Sequence, residues 1–137
     1  MASLATPSVP VSWGELLDKM TILEIKRERI AEREARANVS REYEALRGYR
    51  DAALHEEAVE PLVQSLRDVN EALWEIEDAI REEEARARFG ARFVDLARSV
   101  YKKNDERAAI KREINRCLGS ALVEEKSYWS GVTAPAH

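Results

Sequence analysis

The sequence predicts an all-α protein, an elongated antiparallel bundle of three long helices and one short helix. Charged residues make up 35% of the chain, while it has only five glycines and four prolines. This composition is typical of solvated helices and lacks the turn residues that β-proteins need. Apolar residues also recur every three or four positions, which is the spacing of one helical face. A chain of 137 residues is expected to form one domain. We expect a flexible lead (1–10), the bundle (11–129) and a disordered tail (130–137).

The first helix is predicted from Trp13 to about Ala37. Ser12 and Glu15 have the spacing of a capping box, in which each residue satisfies a backbone N–H of the other. Most apolar residues of this helix follow one stripe, but Ile22 and Ile25 fall on roughly the opposite side. We therefore expect these two residues to be covered either by the short helix or by a second copy of the chain, as a self-association face.

Three more helices are predicted after the first. The short one spans Ser40 to Leu54, and the third has Pro61 in its first turn, where a missing N–H costs nothing. The fourth runs from Ala91 to Leu118, with Gly119 as a left-handed cap. The closing stretch, 121–129, is apolar enough to pack back onto the bundle. The third helix carries a heptad seam, the pattern of coiled coils, formed by Leu62, Leu66, Val69, Leu73, Ile76 and Ile80.

A layer of polar side chains is predicted midway along the bundle, where helical projection places them beside the apolar stripes. Buried charge is costly unless it is paired, so ion pairs across the helices are expected. The predicted polar layer has seven members: Glu24, Arg27, Asn70, Glu77, Asn104, Arg107 and Lys111.

Two interpretations of this polar layer stay open. It either fixes the register of the helices, as polar residues in coiled coils do, or it is a pocket for a small anionic metabolite. In the second case Arg107 and Lys111 are the clamps and Glu24 or Glu77 carries a proton. Small helical mutases of the chorismate type use such pockets, which is an analogy of architecture alone.

The charge pattern argues against several classes of partner. The 22 basic and 26 acidic residues are interleaved, so no basic patch for nucleic acid is expected. No window reaches the roughly 18 apolar residues of a membrane span, so no membrane insertion is expected and a cytoplasmic location is predicted. Cys117, His55 and His137 lack ligand partners at metal-binding spacing, and no metal or other cofactor is predicted.

One further enzymatic alternative comes from carboxylate spacing. Glu57 and Glu60, followed by Glu75 and Asp78, resemble the Mg²⁺-binding pattern of all-α nucleotide pyrophosphohydrolases. The first pair straddles the break before Pro61, and such pairs arise often by chance in a chain with 26 acidic residues.

The opening of the bundle carries a family resemblance. Residues 11–26, VSWGELLDKMTILEIK, resemble the start of an uncharacterised bacterial family of unknown function, and residues 73–81, 97–115 and 122–128 resemble the same family. Trp13 stands where an aliphatic residue is expected. The resemblance implies a bacterial cytoplasmic protein, found alone or appended to repeat or glycosyltransferase-like proteins of surface-polysaccharide loci. It supplies no catalytic residues.

The sequence thus favours a non-catalytic helical interaction or scaffold module over an enzyme. Self-association is predicted, with a homodimer favoured, and a protein partner and an accessory role in surface-polysaccharide assembly are further expectations. The alternatives are a small-anion-binding enzyme or sensor that uses the polar layer, and the Mg²⁺-dependent pyrophosphohydrolase.

Overall fold

A computed structural model describes residues 2–121, and all regular elements within that range are α-helices. The all-α prediction is confirmed. The bounds are α1 (Trp13–Arg29), α2 (Arg33–Ala53), α3 (Val59–Ala85) and α4 (Ala91–Leu118). The predicted packing of the closing stretch and the predicted tail lie outside the described residues from residue 122 onward.

The first helix begins as predicted and ends earlier. The Ser12 hydroxyl accepts a hydrogen bond from the Glu15 N–H at 3.1 Å, as a cap should. The prediction that this helix reaches Ala37 is wrong, because Ile30 takes an extended conformation and Glu32 caps α2. The break contains no glycine or proline, and the Glu32 side chain supplies the cap of the next helix. The short helix is therefore α1, with 17 residues, and α2 has 21.

The other two helices follow the sequence closely. α3 begins at Val59, which places Pro61 in its first turn. α4 has the predicted bounds, and Gly119 adopts the left-handed conformation at φ 62° and ψ 42°. A turn containing Ala87, which has a positive φ of 52°, joins α3 to α4. The two helices form a long antiparallel hairpin, in which α3 alone spans about 40 Å at 1.5 Å per residue.

α1 lies at the centre of the arrangement, because it contacts each of the other three helices. Leu17 of α1 packs in a fully buried cluster with Leu66 of α3 and Ile114 of α4. On its other side, Met20 and Leu23 pack against Tyr43 of α2. The middle of the predicted heptad seam, which includes Leu66, is buried. Since α1 is the shortest helix, it covers only part of the α3–α4 hairpin.

The part of the hairpin beyond α1 is called the distal arm here and comprises residues 76–103. At its C-terminal end α1 pairs Arg29 with Glu71 at 3.0 Å and also with Glu75, so it follows α3 there. Within the distal arm none of the apolar side chains is fully buried, although several are half-buried between the two helices. The arm is thus a two-helix extension of a three- and four-helix body.

Candidate functional site

A buried ion pair joins α1 to α4 at the centre of the body. Asp18 is 1% exposed, and its Oδ1 accepts from Arg107 Nε at 2.9 Å while its Oδ2 accepts from Arg107 Nη2. This two-pronged geometry is the strong form of an arginine–carboxylate pair. The pair holds α1 and α4 together through residues separated by 89 positions.

The same carboxylate also reaches α3. Asn70 Nδ2 donates to Asp18 Oδ1 at 2.8 Å and to Thr21 Oγ1 at 2.9 Å. Thr21 Oγ1 in turn donates to the Asp18 carbonyl oxygen at 2.8 Å. Asp18, Thr21 and Asn70 are all buried, and each finds partners, as buried polar groups must. One polar layer therefore connects α1, α3 and α4.

A second set of contacts fixes the start of α1 against the end of α4. The side chain of Lys111 is buried, and its Nζ lies 2.8 Å from Glu15 Oε2. The Gly14 N–H donates to Asn115 Oδ1 at 2.7 Å, and the Trp13 N–H donates to Ser120 Oγ at 3.0 Å. First-turn amides have no partner inside their own helix, and here Asn115 of α4 and Ser120 just after α4 supply the acceptors.

Gly14 permits this close approach. A Cβ atom added to it would lie 2.5 Å from the backbone oxygen of Lys111, which real Cβ contacts do not reach. Any larger residue would push α1 away from α4 and stretch the hydrogen bond to Asn115.

A separate cluster surrounds Glu24 between α1, α2 and α3. Its carboxylate lies 2.7 Å from Arg67 Nη1 and 3.2 Å from Arg50 Nε, and it accepts from the Tyr43 hydroxyl at 3.4 Å. Hydrogen bonds to Glu28 and Glu24 raise the pKa of Arg67. Burial, followed by the charge of Glu24, raises the pKa of the Tyr43 phenol. Arg67 therefore stays charged and paired with both carboxylates.

The seven residues of the predicted polar layer divide into three groups. Asn70, Arg107 and Lys111 lie in the polar contacts of α1 with α3 and α4, and Asn104 lies beside Arg107, with its Oδ1 3.5 Å from Nη1. Glu24 belongs to the other cluster, as does Arg27, whose guanidinium stacks 4.2 Å from the centre of the Tyr43 ring.

The structure does not bring Glu77 into the layer. Its exposed carboxylate lies in the distal arm, 3.6 Å from Arg81, because α1 ends beside Glu75 and does not extend to this turn of α3. A proton-carrying role beside Arg107 is therefore not supported for Glu77.

The two residues of the predicted self-association face also differ from each other. Ile25 is 2% exposed within a single chain, so a second copy cannot cover it without unfolding this one. Ile22 is half-buried beside a cleft. The expected interface on Ile22 and Ile25 is corrected accordingly, since helices of the same chain fill the Ile25 side.

Asp18 is the central residue that the sequence reasoning missed. Gly14, Asp18, Thr21 and Ile25 have successive spacings of four, three and four, and all four are buried. This spacing defines a helical face, but the residues are small or polar and do not stand out as an apolar stripe. This face is recognisable in the sequence only when small and polar residues are counted as possible buried residues together with apolar ones.

The cleft beside Arg107 has a volume of about 250 Å³. It is small for a metabolite site, since ligand pockets usually span about 300–1,000 Å³. Three cations and three carboxylates line it together with two apolar residues: Lys19, Lys26, Arg107, Glu15, Asp18, Glu42, Ile22 and Leu23. The opposite charges balance, so the cleft lacks a strongly positive field.

The carboxylates of the pyrophosphohydrolase alternative are kept apart. Glu60 and Glu75 lie on the same helix about 22 Å apart along its axis. Glu75 pairs with Arg29, and Asp78 pairs with Arg81 at 3.1 Å. Within residues 2–121, no three side chains of His, Cys, Asp or Glu are grouped to hold a metal ion. In the same range, no helix has the length and apolar character needed to cross a membrane.

The fold and its polar contacts define an all-α protein whose central helix is held by buried ion pairs and amide caps. The chain belongs to a family of unknown function, DUF6165, whose model matches residues 8–137. The resemblance found in the sequence to a family of unknown function is thereby confirmed. Comparison with curated proteins gives no match, and comparison with solved structures gives none either.

Proposed function

We propose that this protein is a non-catalytic helical interaction module that self-associates. The observation that carries the proposal is that both cations expected to clamp a ligand are paired with carboxylates of the same chain. Arg107 binds Asp18 through two nitrogens, and Lys111 binds Glu15. Both pairs join α4 to α1, which favours a structural role for the polar layer over a ligand-binding role.

An anion that bound Arg107 would have to displace the carboxylate of Asp18. Separating a buried pair by removing one partner costs about 3–5 kcal/mol, because a charge is left without compensation. A metabolite that bound Arg107 would strand Asp18, which is also held by Asn70. The helix contacts would weaken as the ligand bound, so the site favours keeping its own pair.

Surface composition supports an interaction role. Large apolar side chains are exposed in the distal arm, with Val94 42% and Tyr101 57% exposed. Val94 and Tyr101 are seven residues apart, so they share one face of α4, and exposed apolar residues on one face can contribute to an interaction surface. The accessory role in surface-polysaccharide assembly, the bacterial origin and the cytoplasmic location rest on the resemblance and on the sequence alone, and they stay predictions.

Light scattering coupled to size-exclusion chromatography tests self-association. At about 10–200 µM we expect the weight-average mass to rise from near 15.6 kDa toward twice that value as the concentration increases. This range reaches dimers with a Kd in the micromolar range, about −8 kcal/mol. A mass that stays at one chain up to 200 µM would refute the proposal.

The small-anion site remains the rival function, and the cleft beside Arg107 is where it would lie. A screen of phosphorylated and carboxylated metabolites by thermal shift separates the two functions. Ligand binding to the folded state raises the melting temperature with concentration. We expect no such rise; a concentration-dependent rise that the Arg107→Met variant abolishes would favour the rival.

A further inference from the structure

One flank of α1 is left uncovered by the helices between residues 2 and 121. α1 packs against α2, α3 and α4, but α2 and α4 make little contact with each other, so α1 is open between them. The cleft beside Arg107 lies on this flank, and a larger depression of about 640 Å³ lies beside the start of α1. Both depressions include Glu15 and Lys19. Together they form one surface, called the α1 groove here.

Apolar side chains follow the α1 groove over its length. Trp13 and Leu16 of α1 are half-buried at one end, and Ile22 is half-buried at the other. Tyr49 of α2 is 57% exposed beside them. A row of apolar residues that the body leaves partly in water is the kind of surface that another segment covers. The apolar residues used in this argument are Val11, Trp13, Leu16, Ile22, Leu46 and Tyr49.

The described chain ends at one end of this groove. Ser120 follows α4, and its Oγ accepts a hydrogen bond from the Trp13 N–H at 3.0 Å. The closing stretch, residues 121–129, has the sequence ALVEEKSYW and follows directly. It carries two apolar pairs, Leu122 with Val123 and Tyr128 with Trp129. An apolar segment thus begins beside an apolar groove.

We propose that the closing stretch of the same chain occupies the α1 groove and covers its apolar residues. From Trp13 to Ile22 the groove follows α1 for about 14 Å, at 1.5 Å per residue. Residues 122–129 span about 12 Å as a helix and up to about 26 Å when extended. Either conformation reaches along most of the groove. This inference goes beyond self-association and does not depend on it.

The short tether favours this occupant over a second copy of the chain. Only Ala121 separates Leu122 from Ser120, which is held beside Trp13. A segment tied this closely to its site has an effective concentration of about millimolar or more. The same segment of another molecule competes at its bulk concentration, which is far lower in a micromolar solution.

The depression at the end of α4 suits the closing stretch less well. Its lining is mainly charged and polar and includes Arg112, Glu113 and Arg116. Apolar side chains such as Trp129 gain free energy by leaving water for apolar surroundings, which the α1 groove supplies.

Trypsin cleavage after Lys126 tests the proposal on the full chain. Lys126 is the one basic residue within 122–137, so cleavage there releases a fragment that mass spectrometry identifies. A docked segment must leave its site before a protease can cut it. We therefore expect cleavage at least about tenfold slower in the full chain than in a free peptide of residues 121–137. The rate should be the same at about 1 and 100 µM, because docking within one chain does not depend on concentration.

Two variants and a matched control locate the docking site. Ile22→Glu/Tyr49→Glu places a charge at each end of the groove and should speed cleavage at least threefold, with circular dichroism unchanged. The control Val94→Glu/Tyr101→Glu makes similar changes in the distal arm, where Tyr101 is as exposed as Tyr49, and should leave the rate unchanged. Leu122→Ser/Trp129→Ser leaves residues 2–121 as they are and should be cut nearly as fast as its own peptide.

Three results would overturn the proposal. Cleavage of the full chain as fast as that of the peptide excludes docking. Protection that persists in Ile22→Glu/Tyr49→Glu places the closing stretch elsewhere than the α1 groove. Protection that grows with protein concentration assigns the groove to the closing stretch of a second copy. A chain that is monomeric by light scattering would refute self-association and leave this inference intact.

Cross-linking gives a second and direct measure of proximity. In a Cys117→Ser background, Lys19→Cys/Ser127→Cys should be joined within one chain by a short bismaleimide, because Lys19 lines the groove. The control Lys102→Cys/Ser127→Cys, with its first cysteine in the distal arm, should give little such product. Equal yields from the two pairs would contradict docking in the groove.

Discussion

Replacing Asp18 with Asn tests whether the central ion pair is structural. The substitution keeps the shape of the side chain and an oxygen that can accept from Asn70 and from Arg107 Nε. It replaces Oδ2 with an amide donor that faces the donor Nη2 of Arg107. One charge-assisted hydrogen bond, typically about 1.5–3 kcal/mol, is lost, and the guanidinium loses its counter-charge.

The exposure of Arg107 sets the size of the effect. Its side chain is 28% exposed, so it can turn partly toward water, and the loss should fall below the full 3–5 kcal/mol of a sealed pair. We expect unfolding to be easier by about 2–4 kcal/mol. With a urea m-value of about 1–3 kcal/mol per molar, the midpoint should fall by roughly 0.7–4 M.

Urea titration followed by circular dichroism measures this shift. The matched control is Asp78→Asn, which removes an exposed carboxylate paired with Arg81 three residues away and should change stability by under about 0.5 kcal/mol. If Asp18→Asn were as mild as this control, the polar layer would not hold the helices together. If it gained affinity for phosphate while folding normally, Arg107 would be a ligand clamp that Asp18 masks.

Three further predictions concern helix packing and pH. Gly14→Ala should lower the free energy of unfolding by about 1–3 kcal/mol in the same titration, because its Cβ meets the Lys111 backbone. The control Gly48→Ala adds a Cβ in open space within a helix and should raise that free energy by about 0.5–1 kcal/mol. Equal effects of the two substitutions would contradict the close approach at Gly14. Hydrogen bonds from the Ala35 and Glu34 N–H groups lower the pKa of Glu32 below 4.5, so its contribution to stability is present above pH 4.5 and is lost as pH falls through the lowered pKa. Glu32→Gln should therefore reduce the pH dependence of the urea midpoint in that acid range. A pH dependence that the substitution leaves unchanged would exclude the cap. The raised pKa of Tyr43 means that its contribution to stability is complete below its ordinary pKa of 10.0 and is lost as pH rises through the raised value. In an alkaline titration followed by absorbance at 295 nm, Tyr43 should ionise after the exposed tyrosines, as a separate late phase. A late phase that persists in the Tyr43→Phe variant would refute this assignment.

The helices are largely predictable from local signals in the sequence. Ser12 accepts at the start of α1, Pro61 occupies the first turn of α3, and Gly119 is left-handed after α4. Each signal acts within about one helical turn, so a sequence suffices to find it. The boundary between α1 and α2 cannot be predicted from the sequence, because Glu32 is an uncommon cap and the chain around it has no glycine or proline.

The polar layer is only partly predictable, because it depends on how far each helix extends beside its neighbours. Helical projection gives the face on which Asn70, Arg107 and Lys111 lie, and the structure brings those faces to α1. Projection cannot show that α1 stops beside Glu75, which leaves Glu77 in solvent. It also gives no weight to Asp18, whose burial depends on the close approach that Gly14 permits.

The anchoring of the start of α1 on the end of α4 has a consequence for the order of folding. The hydrogen bond from Gly14 to Asn115 spans 101 positions in the chain, and that from Trp13 to Ser120 spans 107. Contacts between such distant segments form late, since they must overcome the entropy of closing a long loop. During synthesis on the ribosome, α1 is made first but can pack in its central position only after α4 has been made. The α3–α4 hairpin is therefore the first structure against which α1 can pack.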